Sequence, residues 1–500
     1  MFKVLRPVKD AYITNRITNG VAQLQANVGL AGSMDLFKLY GYTSTVSGST
    51  ITPNTELSRL LIHFDLQPLR DLIAAGQVDF SNSSFSCRLH LFDVYGGQPC
   101  PDHYSVTVNP LSASFDEGHG KDVVFYSDFD VCNWLTSSLA SGSWLASGCA
   151  QGSTSPSPGD YFTDYSAQQT FGDGTEDLDI DITTIVSATL AGLLPDAGLR
   201  IAFSAALEGD THSYFVKRFA SRGAFNAEKR PVLYIRYDDS IQDDTNNLFL
   251  DSTSYLFLYN YVRGAAANLT SGSTAITGSN SLILQMQTPV SGGLYSLFFT
   301  GSQYFSGRNP QVGIYSASVT IPMNDPLLLP QWQASGSITF TPTWKSLDGT
   351  VLYAVDPPVK ALLPQRGPQS LVTTHLDVSV MGLHEEYGDN DQQVLRVNLW
   401  DFTQPFLTNA VRLPVELPGI IVRDAHYQVR DNDNGFVAIP FDQVHNSTRL
   451  SNDTKNMFFT LDTSSLIAGH SYVIDILVAT DNAKQLYRGA SKVFRVVPGE

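Results

Sequence analysis

Five hundred residues give room for about three domains, and 43% apolar with 11% aromatic residues excludes a disordered chain. Charged residues make up only 16%, and 31 basic against 48 acidic side chains leave a net charge of −17. That balance argues against a phosphate-backbone binder, which needs clustered Lys and Arg, and no run reaches the ~20 apolar residues of a membrane span, so neither nucleic acid nor membrane is an expected partner.

In chain order, Met1–Asp10 lacks the apolar run of a signal peptide, which makes synthesis in a reducing cytosol the expectation. Residues 1–240 read as many short strands. Phe2–Leu5, Asp10–Thr14 and Leu60–Leu66 come first, with a helical turn over Leu69–Ala75. Phe85–Val94 alternates most clearly: Phe85, Cys87, Leu89 and Leu91 share one face, and Ser86, Arg88, His90 and Phe92 the other. Val106–Val108, Val123–Tyr126, Leu178–Ile182 and Gly198–Ser204 are further strands, with a short helix over Thr183–Leu194 carrying Ile185, Leu190 and Leu193. Gly41–Asn54 and Ser147–Tyr161 read as long loops, of the kind used for function or interfaces. Ser213–Arg222 combines Phe215, Val216 and Phe219 with Lys217, Arg218 and Arg222. Pro231 then admits a strand through Tyr237. The acidic run Asp238, Asp239, Asp243 and Asp244 reads as an exit linker.

Residues 248–363 form a second β region, with strands at Tyr255–Tyr261, Leu282–Gln287, Tyr295–Phe299, Val312–Ile321 and Ile338–Phe340 at sandwich spacing. Asn268–Ser279 reads as flexible. Pro357-Pro358 and Pro364–Pro368 read as a stiff linker. In residues 369–500, Val394–Phe402 is a strand, and Ala425–Pro440 turns through Asp431-Asn-Asp-Asn-Gly435 as a hairpin. Met457–Leu461, Ser471–Val478 and Val493–Val497 complete the unit. Tyr472 sits in the pattern of a Greek-key tyrosine corner.

Several residues resemble a DNRLRE-type domain, a jelly roll related to carbohydrate-binding modules. They are Pro7–Ile13, Arg59–Leu66, Cys87–Phe92, Phe115–Gly118, Trp144 with Gly148-Cys149, and Arg230–Tyr237, and it is their order that carries the resemblance. It covers about half the chain. Such domains occur in extracellular polysaccharide-associated proteins and in phage structural proteins. Gly313–Val319 looks like the penultimate strand of an immunoglobulin-like module. The resulting expectation is an all-β protein: a jelly-roll sandwich over 1–240, then immunoglobulin-like β-sandwiches over 248–363 and 369–500.

Candidate chemistry is sparse. Lys217, Arg218 and Arg222 read either as a local basic patch or as edge-strand charges. Cys87, Cys100, Cys132 and Cys149 have no zinc spacing and read as free buried thiols, with Cys87–Cys100 or Cys132–Cys149 bridges as the oxidised alternative. His384-Glu385-Glu386 with Asp389 and Asp391 lacks a metalloprotease frame and reads as a polar loop. Asp173–Asp181 offers oxygens for a structural calcium ion, and no other cofactor is expected; Asp431–Gly435 reads as a turn. Asp116-Glu117 and Glu208 with Asp210 are the carboxylate pairs that glycoside hydrolysis would need, set against solvated loops. Trp134, Trp144, Trp332, Trp344 and Trp400 are candidate sugar platforms, set against core burial. Sequons at Asn82, Asn268, Asn446 and Asn452 carry no weight without secretion.

No catalytic residue is expected. The expected function is that of a structural component of a tailed-bacteriophage virion (capsid decoration, neck, baseplate or tail). It would be made in the host cytoplasm and act by assembly with other virion proteins and with copies of itself. A carbohydrate-binding host-recognition protein, with a surface glycan as partner, is the alternative, and a polysaccharide depolymerase the next.

Overall fold

The computed structural model describes the chain except residues 45–50, 76, 95–101, 124–130, 139–141, 246–247, 307–308, 363–375, 402–419, 454–455, 481–482 and 500. It is all-β, 49% strand and 8% helix, and it divides into two compact units. The first comprises Phe2–Asp71 with Phe80–Arg236, and the second Met1, Leu72–Asp79 and Tyr237–Glu500.

The first unit is built on two antiparallel sheets. In one, the order is Phe2–Leu5, Val232–Arg236, Ser86–Leu91, Leu178–Asp181. The register sets Leu5, Leu233, Leu89 and Ile180 in one row across it, all buried. The apolar parity of each strand therefore builds one continuous face. The other sheet runs Ala167–Phe171, Tyr104–Pro110, Leu199–Phe203, Ile51–Phe64, Ser33–Ser44, Tyr214–Ala220, with Pro7–Thr14 also on Ile51–Phe64. Val108, Ile201, Leu60 and Tyr12 form a row of one parity. The opposite parity carries Arg200, Leu61, Ala11, Arg59 and Ile13 and is buried too.

That second burial comes from the chain between Leu111 and Tyr161. Leu111, Phe115, Cys132, Trp134, Trp144 and Cys149 pack on Ala11, Ile13 and Leu61 as one cluster. The segment is held by the buried carboxylate of Asp160, which accepts the backbone N–H groups of Leu145 (2.7 Å), Ala146 (3.1 Å) and Gln151 (2.9 Å). Ser147–Tyr161, expected as a long loop, is mostly irregular, and Cys149 and Tyr161 tie its two ends into the cover over a sheet.

Gly148 is the tight point of this cover. Its φ is +80°, and a Cβ there would come within 2.5 Å of the Trp134 ring and 2.7 Å of Arg59 Nη1. Gly148→Ala combines left-handed strain with overpacking and is expected to cost about 2–5 kcal/mol. Gly192→Ala, with similar φ (+75°) and open space around it, should lose only about 1–2 kcal/mol. Urea midpoints of the two variants check the difference.

Other expectations shift at the boundaries. Gly41–Ser44 and Ile51–Asn54 belong to the paired strands Ser33–Ser44 and Ile51–Phe64 rather than to a loop. The helices run Gln67–Ala74 and Thr183–Leu190, and Leu193 is exposed because the helix stops before it. Val123 is buried in a turn, and the rest of the strand expected at Val123–Tyr126 lies outside the described residues.

In the second unit, an eight-stranded sheet runs Leu248–Phe249, Val359–Leu362, Ser337–Lys345, Leu282–Val290, Gly293–Ser306, Asn309–Val319, Ser254–Tyr259, with Leu352–Val355 also on Ser337–Lys345. Leu256, Leu284, Met286, Tyr315, Phe340 and Trp344 lie in its core. Val359–Leu362, expected within a proline-stiffened linker, is one of its strands. Pro357 and Pro358 lead into it as exposed, irregular chain, and Pro364–Pro368 lie outside the described residues. Thr270–Ser271 and Thr274–Ala275, expected as flexible, pair as a small hairpin.

Two more sheets follow: Leu376–Met381, Gln392–Asp401, Met457–Asp462, Ser451–Asn452, and Glu386–Gly388, Phe494–Val497, Ser471–Thr480, Asp424–Asp431, Val437–Ile439. They face each other through Tyr427 stacked on Phe459, centroids 4.1 Å apart. The expected hairpin forms, with Asp431 Oδ1 accepting the N–H groups of Asp433 (2.8 Å) and Asn434 (3.2 Å) and Gly435 at φ +76°. The expected corner forms as well. Tyr472 is buried, and its hydroxyl donates to the Ile467 carbonyl (3.1 Å) and accepts the Ile467 N–H (2.9 Å).

The acidic stretch read as an exit linker is packed inside this unit. Asp243 and Asp244 are buried. Asp243 N–H donates to Asn452 Oδ1, Gln242 bridges to Asn452, and Arg423 pairs with Asp244 at 2.7 Å. Backbone pairing and the Arg423 guanidinium on Asp244, absent from any local sequence pattern, make the burial tolerable.

Candidate functional site

The cations singled out in the sequence are spent inside the first unit. Lys217 has the parity of Phe219, and both point into the protein. Its ammonium, 2% exposed, donates to the carbonyls of Gly174 (2.8 Å) and Glu176 (2.8 Å) and meets Asp93 Oδ1 at 2.6 Å. It also stands over the rings of Phe171 and Phe219 at 5.2 and 5.3 Å. Gly174 and Glu176 belong to the stretch considered for calcium, so the positive charge among these oxygens is a lysine of the same chain. Glu176 Oε1 closes the loop by accepting the N–H groups of Gly172 (2.6 Å) and Asp173 (2.8 Å). Arg218 pairs with Asp35 at 3.1 Å. The exposed-patch reading does not describe Lys217; it does lie on the end strand of its sheet, as the edge reading had it, but turned inward.

Arg222 binds Glu117 through Nε and Nη2, and its backbone N–H donates to Asp10 Oδ2. Asp10 N–H donates to Glu117 Oε1 at 2.8 Å. Two carboxylates therefore meet at one arginine, Glu117 on its guanidinium and Asp10 on its backbone N–H, at a point joining Pro7–Thr14, the 115–120 segment and the 221–223 turn. Burial raises the Asp10 pKa to about 7; the Arg222 backbone hydrogen bond pulls it down, and the Glu117 charge pushes it up. A carboxyl raised in the folded state holds a proton there that the unfolded chain releases, so stability falls as pH rises from about 4 to about 7 and is level above. The expected slope sums to about 4 kcal/mol. Asp10→Asn, whose amide oxygen still accepts the Arg222 N–H, should remove this part, read as urea midpoints from pH 5 to pH 8. Asp243, also raised to about 7 by burial, is the matching group of the second unit.

The remaining candidate acids are also committed. Glu208 receives Arg59 Nε (2.9 Å) and Nη2 (2.8 Å) and lies 3.7 Å from Arg200 Nη2. The two guanidiniums also reach the cover segment: Arg59 donates to the Gly148 carbonyl and lies 5.2 Å from the Trp134 ring, and Arg200 donates to the Cys149 carbonyl (3.0 Å) and lies 4.3 Å from the Tyr161 ring. Burial, then the charge of Arg59, lowers the Arg200 pKa. Asp210 binds the fully buried Lys38 at 2.6 Å and the Tyr214 hydroxyl at 2.7 Å, and these hydrogen bonds hold its carboxyl well below the usual range. Asp116 lies 3.8 Å from Lys9 at the surface. Each carboxylate considered for glycoside chemistry has its own cation.

A cavity of about 30 Å³ lies between the helix Thr183–Leu190 and the strand ends at Phe64 and Leu199. That is room for one or two waters, far short of a sugar ring. Its lip is polar: Asp196 takes His63 Nε2 at 3.2 Å and Arg70 Nη1 at 2.9 Å. Burial pushes the Asp196 pKa up, but these two hydrogen bonds outweigh it and the net shift is downward.

Trp134, Trp144, Trp332 and Trp344 are buried and Trp400 is half-buried, so none is an open stacking platform. Cys87, Cys132 and Cys149 are free and buried, with burial raising each thiol; Cys100 lies outside the described residues. His384 packs edge-on against Tyr387, and Asp391 accepts the Gly388 N–H at 2.6 Å, so this acidic stretch forms a turn. Asp431 uses its second oxygen on His470 Nδ1 at 2.6 Å.

The residues that sequence reasoning missed are Lys38, Arg59 and Asp93. A signal existed for Lys38, which shares parity with Leu36, so a charge stands on an apolar face.

The fold and these clusters define an all-β sandwich protein in which Lys38, Arg59, Arg200 and Lys217 are buried against carboxylates. No family model matches the chain, and no curated protein matches its sequence.

Proposed function

We propose that this chain is a structural component of a tailed-bacteriophage virion, a DNRLRE-like jelly roll followed by immunoglobulin-like sandwiches, acting through protein–protein assembly. One observation carries the reading. Of 27 exposed large apolar residues among those described, 13 lie between Tyr255 and Val355, about a fifth of the chain. Concentrated apolar exposure marks an interaction surface rather than ordinary scatter. The paired interior charges and the tyrosine corner at Tyr472 fit a rigid scaffold.

Quantitative mass spectrometry of purified particles tests this reading. The chain is expected at a fixed stoichiometry to the capsid or tail proteins, resistant to salt washing. Its absence from particles that otherwise assemble overturns the reading. Oligosaccharide release by the pure protein, lost on Glu117→Gln, would replace it with an enzyme.

A further inference from the structure

Between Ser252 and Asn324 the chain carries only two charged residues, Arg263 and Arg308, in 73 positions. At the chain's 16% average, about a dozen would be expected. The neutral stretch supplies adjoining strands of the eight-stranded sheet: Leu282–Val290, Gly293–Ser306, Asn309–Val319 and Ser254–Tyr259.

Their two faces differ. Leu284, Met286, Tyr315, Ala317 and Leu256 point into the core. The other face follows from the register: Phe298 opposite Gln285, Thr300 opposite Ile283, Ser302 opposite Ser316, Ser316 opposite Phe257, and Ser318 opposite Tyr255. Phe298 is 64% and Tyr255 49% exposed, and Thr300 and Ser318 are exposed with them, while Phe257 and Gln285 on the same face are buried and Ile283, Ser302 and Ser316 half-buried. None of these four strands puts a described charge on this face. Lys345, on the neighbouring strand, stands at its margin with its ammonium on Gln285 Oε1, 2.6 Å away.

We propose that this face packs against the same face of a second copy of the chain. The reasoning starts from charge. Copies bearing −17 each repel wherever acidic surfaces meet, and this face removes that penalty. It is also compatible with itself under a two-fold rotation. Large Phe298, Tyr255 and Ile283 alternate with small Thr300, Ser302, Ser316 and Ser318, so projections of one copy fit between those of the other. Four strands spaced about 4.8 Å, over about six residues each, give a footprint of about 400 Å² per copy. That is about half the ~800 Å² per partner of a stable complex. The pair is therefore weak and reversible in solution, and becomes firm only where other contacts raise the local concentration.

The inference deepens the assembly reading but is tested apart from it, by sedimentation velocity of the full chain up to about 1 mM. Wild type is expected to move reversibly from one copy toward two as concentration rises. Phe298→Glu and Tyr255→Glu, at exposed positions that spare the core, should each weaken association about tenfold or more. Val444→Glu, exposed elsewhere in the same unit, should leave it unchanged. A wild type that stays monomeric throughout, or a Phe298→Glu chain that associates as tightly as wild type, overturns the proposal. So does saturable binding of a soluble glycan that competes with association and is lost in Phe298→Glu, which would make the face a sugar platform. Dimerisation by a chain absent from particles would leave this inference standing and remove the virion reading, and the reverse result would do the opposite.

Discussion

Lys217→Met is expected to destabilise the first unit by about 3–5 kcal/mol, as removal of one partner from a buried ion pair does. Whole domains are stable by only about 5–15 kcal/mol, so this one change brings the unit close to unfolding. Methionine fills the space of the lysine stem between Phe171 and Phe219 but donates nothing. It leaves Asp93 and the carbonyls of Gly174 and Glu176 without the ammonium that all three share. A pH signature separates lost charge from lost packing. Burial already raises the Asp93 pKa, and Lys217 is what pulls it back down. Without Lys217 the folded-state pKa climbs further above the unfolded value, so the folded variant takes up a proton. Its deficit should therefore shrink as pH falls from 7 toward 4. Urea titrations of wild type and variant at both ends of that range check it. Lys217→Met/Asp93→Asn, with the stranded charge also removed, should recover part of the loss at pH 7. A deficit that ignores pH and is not relieved by the second change would mean that packing, not charge, is what Lys217 supplies.

The second large effect is expected at Glu208. Glu208→Gln keeps the shape and removes the one carboxylate that, among the described residues, pairs with Arg59 and Arg200. Two guanidiniums, both buried under Trp134 and Tyr161, are left facing each other. Arginine cannot shed its proton to escape, so the cost, about 3–5 kcal/mol, is independent of pH through the neutral range. Added salt should recover little of it, because the two buried charges lie out of reach of screening ions. Arg200→Met in the Glu208→Gln background should cost less than in wild type, because it removes one of the stranded charges. A coupling of about 0.5–3 kcal/mol from the double-mutant cycle is the measurement. Additive costs would show that the three side chains do not act as a group. Because Arg59 and Arg200 also hold the carbonyls of Gly148 and Cys149, partial loss should loosen the cover first. Cys149 labelling by a thiol reagent is then expected to speed up ahead of global unfolding.

These charges show where sequence reasoning reached and where it stopped. Alternation placed Cys87, Leu89 and Leu91 on one buried face, and the Asp/Asn/Gly run placed the hairpin at Asp431–Gly435, because a strand's parity and a turn's left-handed residue are local properties. Tyr472 was legible for the same reason, since its partner Ile467 lies five residues away. The partners of Lys217, Arg59 and Arg222 lie 124, 149 and 105 residues away at Asp93, Glu208 and Glu117. No local pattern can report a pairing at that separation. The acidic stretch at Asp243 and Asp244 misled for a related reason: charge density predicts solvent, and only Arg423 and Asn452, some 180 and 209 residues on, reverse that.

By itself, then, the sequence determined that this chain is all-β, where many strands turn, and that the stretch from Ser252 to Asn324 is almost without charge. Each of these depends on neighbours in the chain and on composition. The tertiary structure alone decided which charges are buried and by what they are held, that Leu111, Phe115, Cys132, Trp134, Trp144 and Cys149 cover a sheet, and that the uncharged strands leave Phe298 and Tyr255 exposed on one sheet face. Those outcomes depend on contacts between distant segments, where the cost of removing a charge from water is settled by partners that only folding brings within reach.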